Sequence, residues 1–313
     1  MTVDMERALD GLVRAGRAPD LHGVVVMRHG DVVFEHYGRG VDFVLNEPLG
    51  EVTFGPGTLH DIRSVTKSVV GLLYGTALAA GQVPEPREPL LACFPEYADL
   101  AGRTELTVEH ALTMTLGLEW NEDAPYTSPA NSEIAMELAP DRYRYVLERP
   151  VVEEPGTRWR YCGGASALIG ALIARGTGMP LEDFARTALF EPLGIAAFEW
   201  SAGGDGVAAA ASGLRLAPRD LARIGAHVLA SDDPWVARML RPRVTIGDDF
   251  SYGYQWYMGS RWYGGFGNGG QRLYVRPDLD LVAAVTAGQY NEPDQPTATA
   301  VLEEVVLPAF ARS

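Results

Sequence analysis

Ser64 and Lys67 stand three positions apart, and Lys67 is the sole lysine in a chain of 313 residues whose 26 basic side chains are otherwise all arginine. A guanidinium keeps its proton in any protein setting, whereas a desolvated ammonium can give one up and then act as a base. A single amine kept one helical turn from a hydroxyl points to a serine nucleophile with a lysine base. On a helix, positions i and i+3 share a face, so Oγ and Nζ can meet. If Ser64 begins that helix, its own N–H is one of the unpaired donors of a helix N-terminus. It can then face a developing oxyanion.

Two further stretches carry chemical potential. Pro155 to Gly164 reads as a turn that delivers Tyr161 directly before Gly163 and Gly164, where backbone or ligand can approach closely. Asn268, Gly269, Gly270 and Gln271 form a Gly-rich edge at the start of a predicted strand, with N–H groups to offer a substrate. Trp120, Tyr126 and Trp256 are candidate cleft walls, because aromatic rings supply large apolar surfaces. Cys162 offers an alternative nucleophile, although no His lies near it in sequence. No GxSxG occurs, which argues against a nucleophile-elbow hydrolase.

These residues need elements to hold them. Residues 4–15 predict an amphipathic helix with Met5, Leu9, Leu12 and Val13 on one side. β-Branched runs at 23–27 and 32–37 flank His29-Gly30-Asp31, a hairpin signal. Residues 45–58 read as a Gly/Pro-containing loop. A helix follows over 64–80, stopped by Gly81; its apolar positions nearly surround it, so it should be buried. Residues 82–205 read as mostly helical with long connections. Within them, 117–131 is rich in Trp, Tyr, Pro and Asn, which suits a lid or cleft wall. After a helix over 218–230 come three strand candidates, SYGYQWYMG, QRLYVRP and LVAAVTAG, and a closing helix over 297–311.

The expectation is an α/β fold of the α+β type: a five-stranded antiparallel sheet flanked by helices, with a large, mostly helical insertion. Helices 4–15 and 297–311 would cover one face and helix 64–80 the other. Residues 1–80 with 206–313 would form the sheet domain and 81–205 the helical one, with the active site in the cleft between them.

Composition narrows the function. A formal charge of −15 leaves no basic stripe to neutralise phosphates and disfavours anionic membrane surfaces. The chain starts polar and acidic, without a basic segment followed by an apolar one, which predicts a cytoplasmic protein. Two cysteines fit a reducing compartment, and the six His show no metal-ligand spacing, so no metal or other cofactor is expected.

The order of the three motifs resembles the serine β-lactamase and penicillin-binding-protein superfamily, whose SxxK motif carries a Ser nucleophile. Ser64-x-x-Lys67, Pro155-Gly156-x-x-Trp159-x-Tyr161-x-Gly163 and the Gly-rich edge at 267–271 follow one another at about hundred-residue intervals. TVEHALTMTLGLEW and SGLRLAPRDLARIG agree with that family as well, and the likeness runs from about residue 20 to 290. It looks most like the class C β-lactamase-related branch, which includes esterases, D-amino-acid-specific peptidases and 6-aminohexanoate-dimer hydrolases. The resemblance implies a Ser64 acyl-enzyme, with Lys67 and Tyr161 as general acid and base. It also implies an oxyanion site between the amides of Ser64 and Gln271. The substrate would be a small ester or amide.

Two departures matter. The family's usual Tyr-x-Asn is here Tyr161-Cys162-Gly163, and its usual Lys-Thr-Gly or His-x-Gly is here Asn268-Gly269-Gly270. The missing cation removes a charge-assisted bond worth about 1.5–3 kcal/mol to a penicillin-type carboxylate. Feeble β-lactamase activity is the expected result. A catalytically silent module that binds peptides or cell-wall fragments is the alternative these losses suggest.

Overall fold

The computed structural model describes residues 2–103 and 105–310. Its centre is a strand that must be buried on both sides. β1 (Leu21–Arg28) alternates Val24 and Val26 toward one apolar cluster with Val25 and Met27 toward another. Beside it, β13 (Leu281–Ala287) does the same, with Val25 opposite Ala284 and Val24 opposite Val285. Val24, Val25 and Val26 of β1 and Val282, Val285 and Thr286 of β13 fit such a doubly covered pleat.

One face is closed by α1 (Thr2–Arg14) and the C-terminal helical segment Thr297–Phe310, through Met5, Leu9, Val301 and Phe310. The other face carries α2 (Val65–Ala79) and α8 (Pro218–Ala230). This is the layering the sequence predicts. The apolar core on this side runs on without a break from α2 into α6 (Gly163–Thr177). α2 is consequently buried nearly all round, as its apolar pattern requires.

The sheet is larger than expected. It has eight strands, in the order β2, β1, β13, β12, β11, β10, β9, β8, and every pair is antiparallel. Here β2 is Asp31–Tyr37, β12 is Gln271–Arg276, β11 is Tyr263–Gly267, β10 is Tyr257–Met258, β9 is Phe250–Tyr252 and β8 is Val244–Ile246. The stretch SYGYQWYMG is not one strand. A turn with Gln255 at φ 64° splits it into β9 and β10. β11, with sequence YGGFG, lacks β-branched residues because it must touch a helix. A Cβ on Gly265 would lie 2.8 Å from Ser68 Oγ and 3.0 Å from Val65 Cγ1.

Residues 45–58 are not simply a loop. β3 (Arg39–Val44) and β4 (Glu47–Thr53) form a separate hairpin whose tip is Leu45-Asn46. Three short strands, β5 (His60–Asp61), β7 (Leu214–Leu216) and β6 (Glu199–Trp200), make a third sheet leading into α2. Among the described residues, no helix is long and apolar enough to cross a membrane.

Candidate active site

Ser64 occupies the N-cap position of α2, and the residue before it is strained. Arg63 has φ 48°, a left-handed conformation that costs a non-glycine residue about 1–3 kcal/mol. Local bonds hold it there. The Arg63 amide donates to Asp61 Oδ1 at 3.0 Å, and its guanidinium reaches Asp61 Oδ2 and the Leu45 carbonyl. The backbone therefore turns abruptly into the helix and leaves Ser64 partly exposed at its mouth.

Lys67 lies one turn deeper and is 2% exposed. Its Nζ is 3.0 Å from Ser64 Oγ and donates to the Ala211 carbonyl at 2.8 Å. The third neighbour is Glu133 Oε2, at 3.7 Å. Nζ also sits 4.8 Å from the centre of the Tyr161 ring. Burial, and then the charges of Glu122 and Glu133, push the Tyr161 phenol well above its ordinary range, while a hydrogen bond with Ser64 works the other way. Tyr161 therefore stays protonated near neutrality and enters the reaction as a proton donor.

A cavity of about 550 Å3 opens at Ser64. Val44, Leu45 and Asn46 of the hairpin tip form one wall, and Ile134 and Leu138 another. Tyr126 lies on its edge, and its carbonyl accepts from Asn46 Nδ2 at 2.8 Å. The 117–131 loop and the hairpin thus meet across the opening.

Three acidic side chains that sequence reasoning missed lie where the charge of Lys67 is felt, Glu133 in contact with it and Glu122 and Glu137 further off. Glu133 follows the N-cap of α4 (Ser132–Glu137), where Asn131 Oδ1 accepts from its amide at 2.9 Å. Glu122 is partly exposed along its stem, but its carboxylate is enclosed by the indole of Trp120 (2.6 Å), the hydroxyl of Tyr126 (2.8 Å) and the amide of Gly163 (2.5 Å). Burial, with the charge of Glu133 second, raises Glu122 to about 7. Glu137 is raised to about 7 by burial against the opposing pull of Arg142. No periodicity marks these residues, because their meeting with Lys67 is made by tertiary packing alone.

The residues expected at the site divide into two groups. Ser64, Lys67, Tyr161, Tyr126 and Asn268 come together on or beside the cavity. Trp256 does not: it is fully buried, and its indole donates to the Ser68 carbonyl. Trp120 is 4% exposed and serves Glu122 rather than a ligand. The Gly269 and Gly270 amides both donate to Gln295 Oε1. Gln271 is fully buried, with its side-chain amide bound to Asn268 and Ala287. The strand end that abuts the start of α2 is Gly267, whose Cβ would meet the Ile62 carbonyl and lie 3.2 Å from Arg63 Cβ. Cys162 is buried at the start of α6, and burial raises its thiol well above the usual range, which suits an inert cysteine.

Away from the cleft, His22, Asp42 and His60 converge although their spacing suggests no such group. His22 Nδ1 and His60 Nε2 are 2.9 Å apart, and Asp42 accepts from Arg215 and Tyr290. Burial lowers both imidazoles to about 4, so both are neutral at pH 7.

Comparison with known proteins supports what the geometry suggests. The model of the Beta-lactamase family matches residues 5–306. The chain belongs to that family. It is 26% identical over 333 aligned positions to a 6-aminohexanoate-dimer hydrolase of Paenarthrobacter ureafaciens, covering 91% of this chain and 79% of that one. Esterase EstB of Burkholderia gladioli is 28% identical over 182 residues, 55% of this chain and 44% of that esterase. Among solved structures, EstCE1, a hydrolase with promiscuous acyltransferase activity, superposes with a TM-score of 0.79 at 14% identity, over 97% and 99% of the two chains. The family relatives are hydrolases, and the fold is the mixed α/β β-lactamase type.

Proposed function

We propose that the protein is a serine hydrolase that cleaves small, uncharged esters or amides through an acyl-enzyme on Ser64. The observation that carries this reading is the 3.0 Å contact between a buried lone amine and the one hydroxyl at the mouth of α2, on the wall of a cavity. In the reaction, Lys67 acts as the free amine: Ser64 Oγ bonds to the substrate carbonyl carbon and its proton passes to the Nζ lone pair. The oxyanion faces the Ser64 amide, for which no hydrogen-bond acceptor is found among the described residues. When the intermediate collapses, the bond to the leaving oxygen or nitrogen breaks, and Tyr161 supplies that atom's proton. Water then attacks the acyl carbon and gives its proton to the Tyr161 phenolate; the bond from the acyl carbon to Ser64 Oγ breaks, and Lys67 returns its extra proton to that oxygen.

The cavity chemistry favours neutral substrates. Its lining exposes more apolar than polar surface, and the acidic side chains Glu133 and Glu137 are part of it. Arg63, the guanidinium at its edge, is already engaged by Asp61 and Leu45. A carboxylate-bearing β-lactam meets no free cation there. The test is a panel of nitrophenyl esters, nitrocefin, D-amino-acid amides and aminohexanoate oligomers, run on wild type, Ser64→Ala and Lys67→Arg. Short-chain ester cleavage should exceed nitrocefin turnover, and both substitutions should abolish it. Ester hydrolysis that survives Lys67→Arg removes the base from this scheme. Intact-mass measurement after a fluorophosphonate separates hydrolase from silent binder, since a binder leaves Ser64 unlabelled.

A further inference from the structure

The second motif ends in Gly163, a residue with no side chain, and the space beside it is filled from elsewhere. A Cβ built on Gly163 would run into Glu133 Oε2 and lie 2.8 Å from its Cδ and 3.0 Å from its Cγ. The arm of Glu133, from a different helix, thus occupies the volume that a side chain at 163 would take. There Glu133 is 2% exposed, and its Oε1 accepts from Ser212 Oγ at 2.7 Å. Its Oε2 has no hydrogen-bond partner among the described residues and faces Lys67 Nζ at 3.7 Å. With Ser64 Oγ and the Ala211 carbonyl, it completes a set of three polar neighbours around Nζ.

We propose that Glu133 is the positioning residue for Lys67, reaching it from α4 through the volume that a side chain at position 163 would occupy. Gly163 is a glycine so that this carboxylate can reach the amine. The arrangement also sets specificity, because it puts a negative charge in the cavity lining and disfavours anionic substrates. The inference rests on the Ser64–Lys67 reading of the site, so one of its tests does not need turnover.

The lone lysine supplies that test. Protein made with 15N-lysine gives a single Nζ resonance, and Glu133→Gln, which keeps the shape and can keep the Ser212 bond, should move it. In kinetics with a neutral nitrophenyl ester, Glu133→Ala should lower kcat ~10- to 100-fold, the cost of a misplaced reacting group, with little change in KM. Adding Gly163→Asn to Glu133→Ala should restore much of that loss, because an amide then fills the vacated space. The same double variant should gain on an ester bearing a distal carboxylate relative to the neutral ester. A purely structural Glu133, tying α4 to Ser212, predicts no rescue from position 163 and no shift in the ester ratio. An Nζ resonance unmoved by Glu133→Gln overturns the proposal even if rates fall. A wild type that shows no Ser64-dependent hydrolysis overturns the proposed function instead, and the resonance still decides the placement of Glu133.

Discussion

At the scale of single residues, the division of labour follows from what each group can protonate. Tyr161 is held as a phenol by burial beside Glu122 and Glu133, so it is suited to the leaving group and Lys67 to the nucleophile. Tyr161→Phe should therefore cut kcat on alkyl esters by ~10²–10⁴-fold, the usual worth of a positioned acid. Nitrophenyl esters, whose leaving group needs no proton, should lose much less. Equal losses on both would show that the phenol acts in some other way, and a leaving-group series on the variant reads this directly. Ser64 and Lys67 are legible in the sequence because their geometry is local, three positions on one helix. Glu122 and Glu133 are not, since nothing in the chain near either residue encodes the neighbour each will meet.

At the scale of elements, the site depends on a strand thin enough to lie against α2. Gly265 and Gly267 give β11 that thinness. Gly267→Ala forces a methyl against the Ile62 carbonyl, just before the strained Arg63-Ser64 turn. It should destabilise the protein by ~1–3 kcal/mol, as overpacking does. The ester-hydrolysis rate should fall further than the lost folded fraction explains, and thermal melts run beside rate measurements separate the two. The same strand shows where sequence reading stops. β1, β2 and β13 announce themselves through β-branched residues, and β12 through Leu273-Tyr274-Val275 between Gly270 and Pro277. β11 is Gly and aromatic because of what it touches, and β8, β9 and β10 are too short to show a period of two. The β3–β4 hairpin carries Gly40, Pro48 and Gly50 and is largely exposed, so its composition matches a loop. Yet its tip lines the cavity.

At the scale of the whole molecule, buried ionisable groups set opposite pH slopes. Glu122 and Glu137 ionise near 4.5 when unfolded and about 7 when folded. Between those values the folded state holds the extra protons, so stability falls as pH rises. His22 and His60 titrate near 6.5 when unfolded and about 4 when folded, so their contribution is lost as pH drops through that window. Glu122→Gln should flatten the decline of melting temperature between about pH 5 and 7. His22→Leu, although less stable overall, should flatten the acid limb. Unchanged slopes in differential scanning calorimetry would contradict these assignments.

The Lys and Arg side chains on the outside of this molecule are all guanidinium groups, because its single lysine is sealed in the cleft. Reagents that seek primary amines, such as succinimidyl dyes, aldehyde fixatives and many surface-coupling resins, find no side chain to attach to on the exterior. Modification mapped to Lys67, apart from the α-amine of the chain, thus becomes a report on access to the cleft.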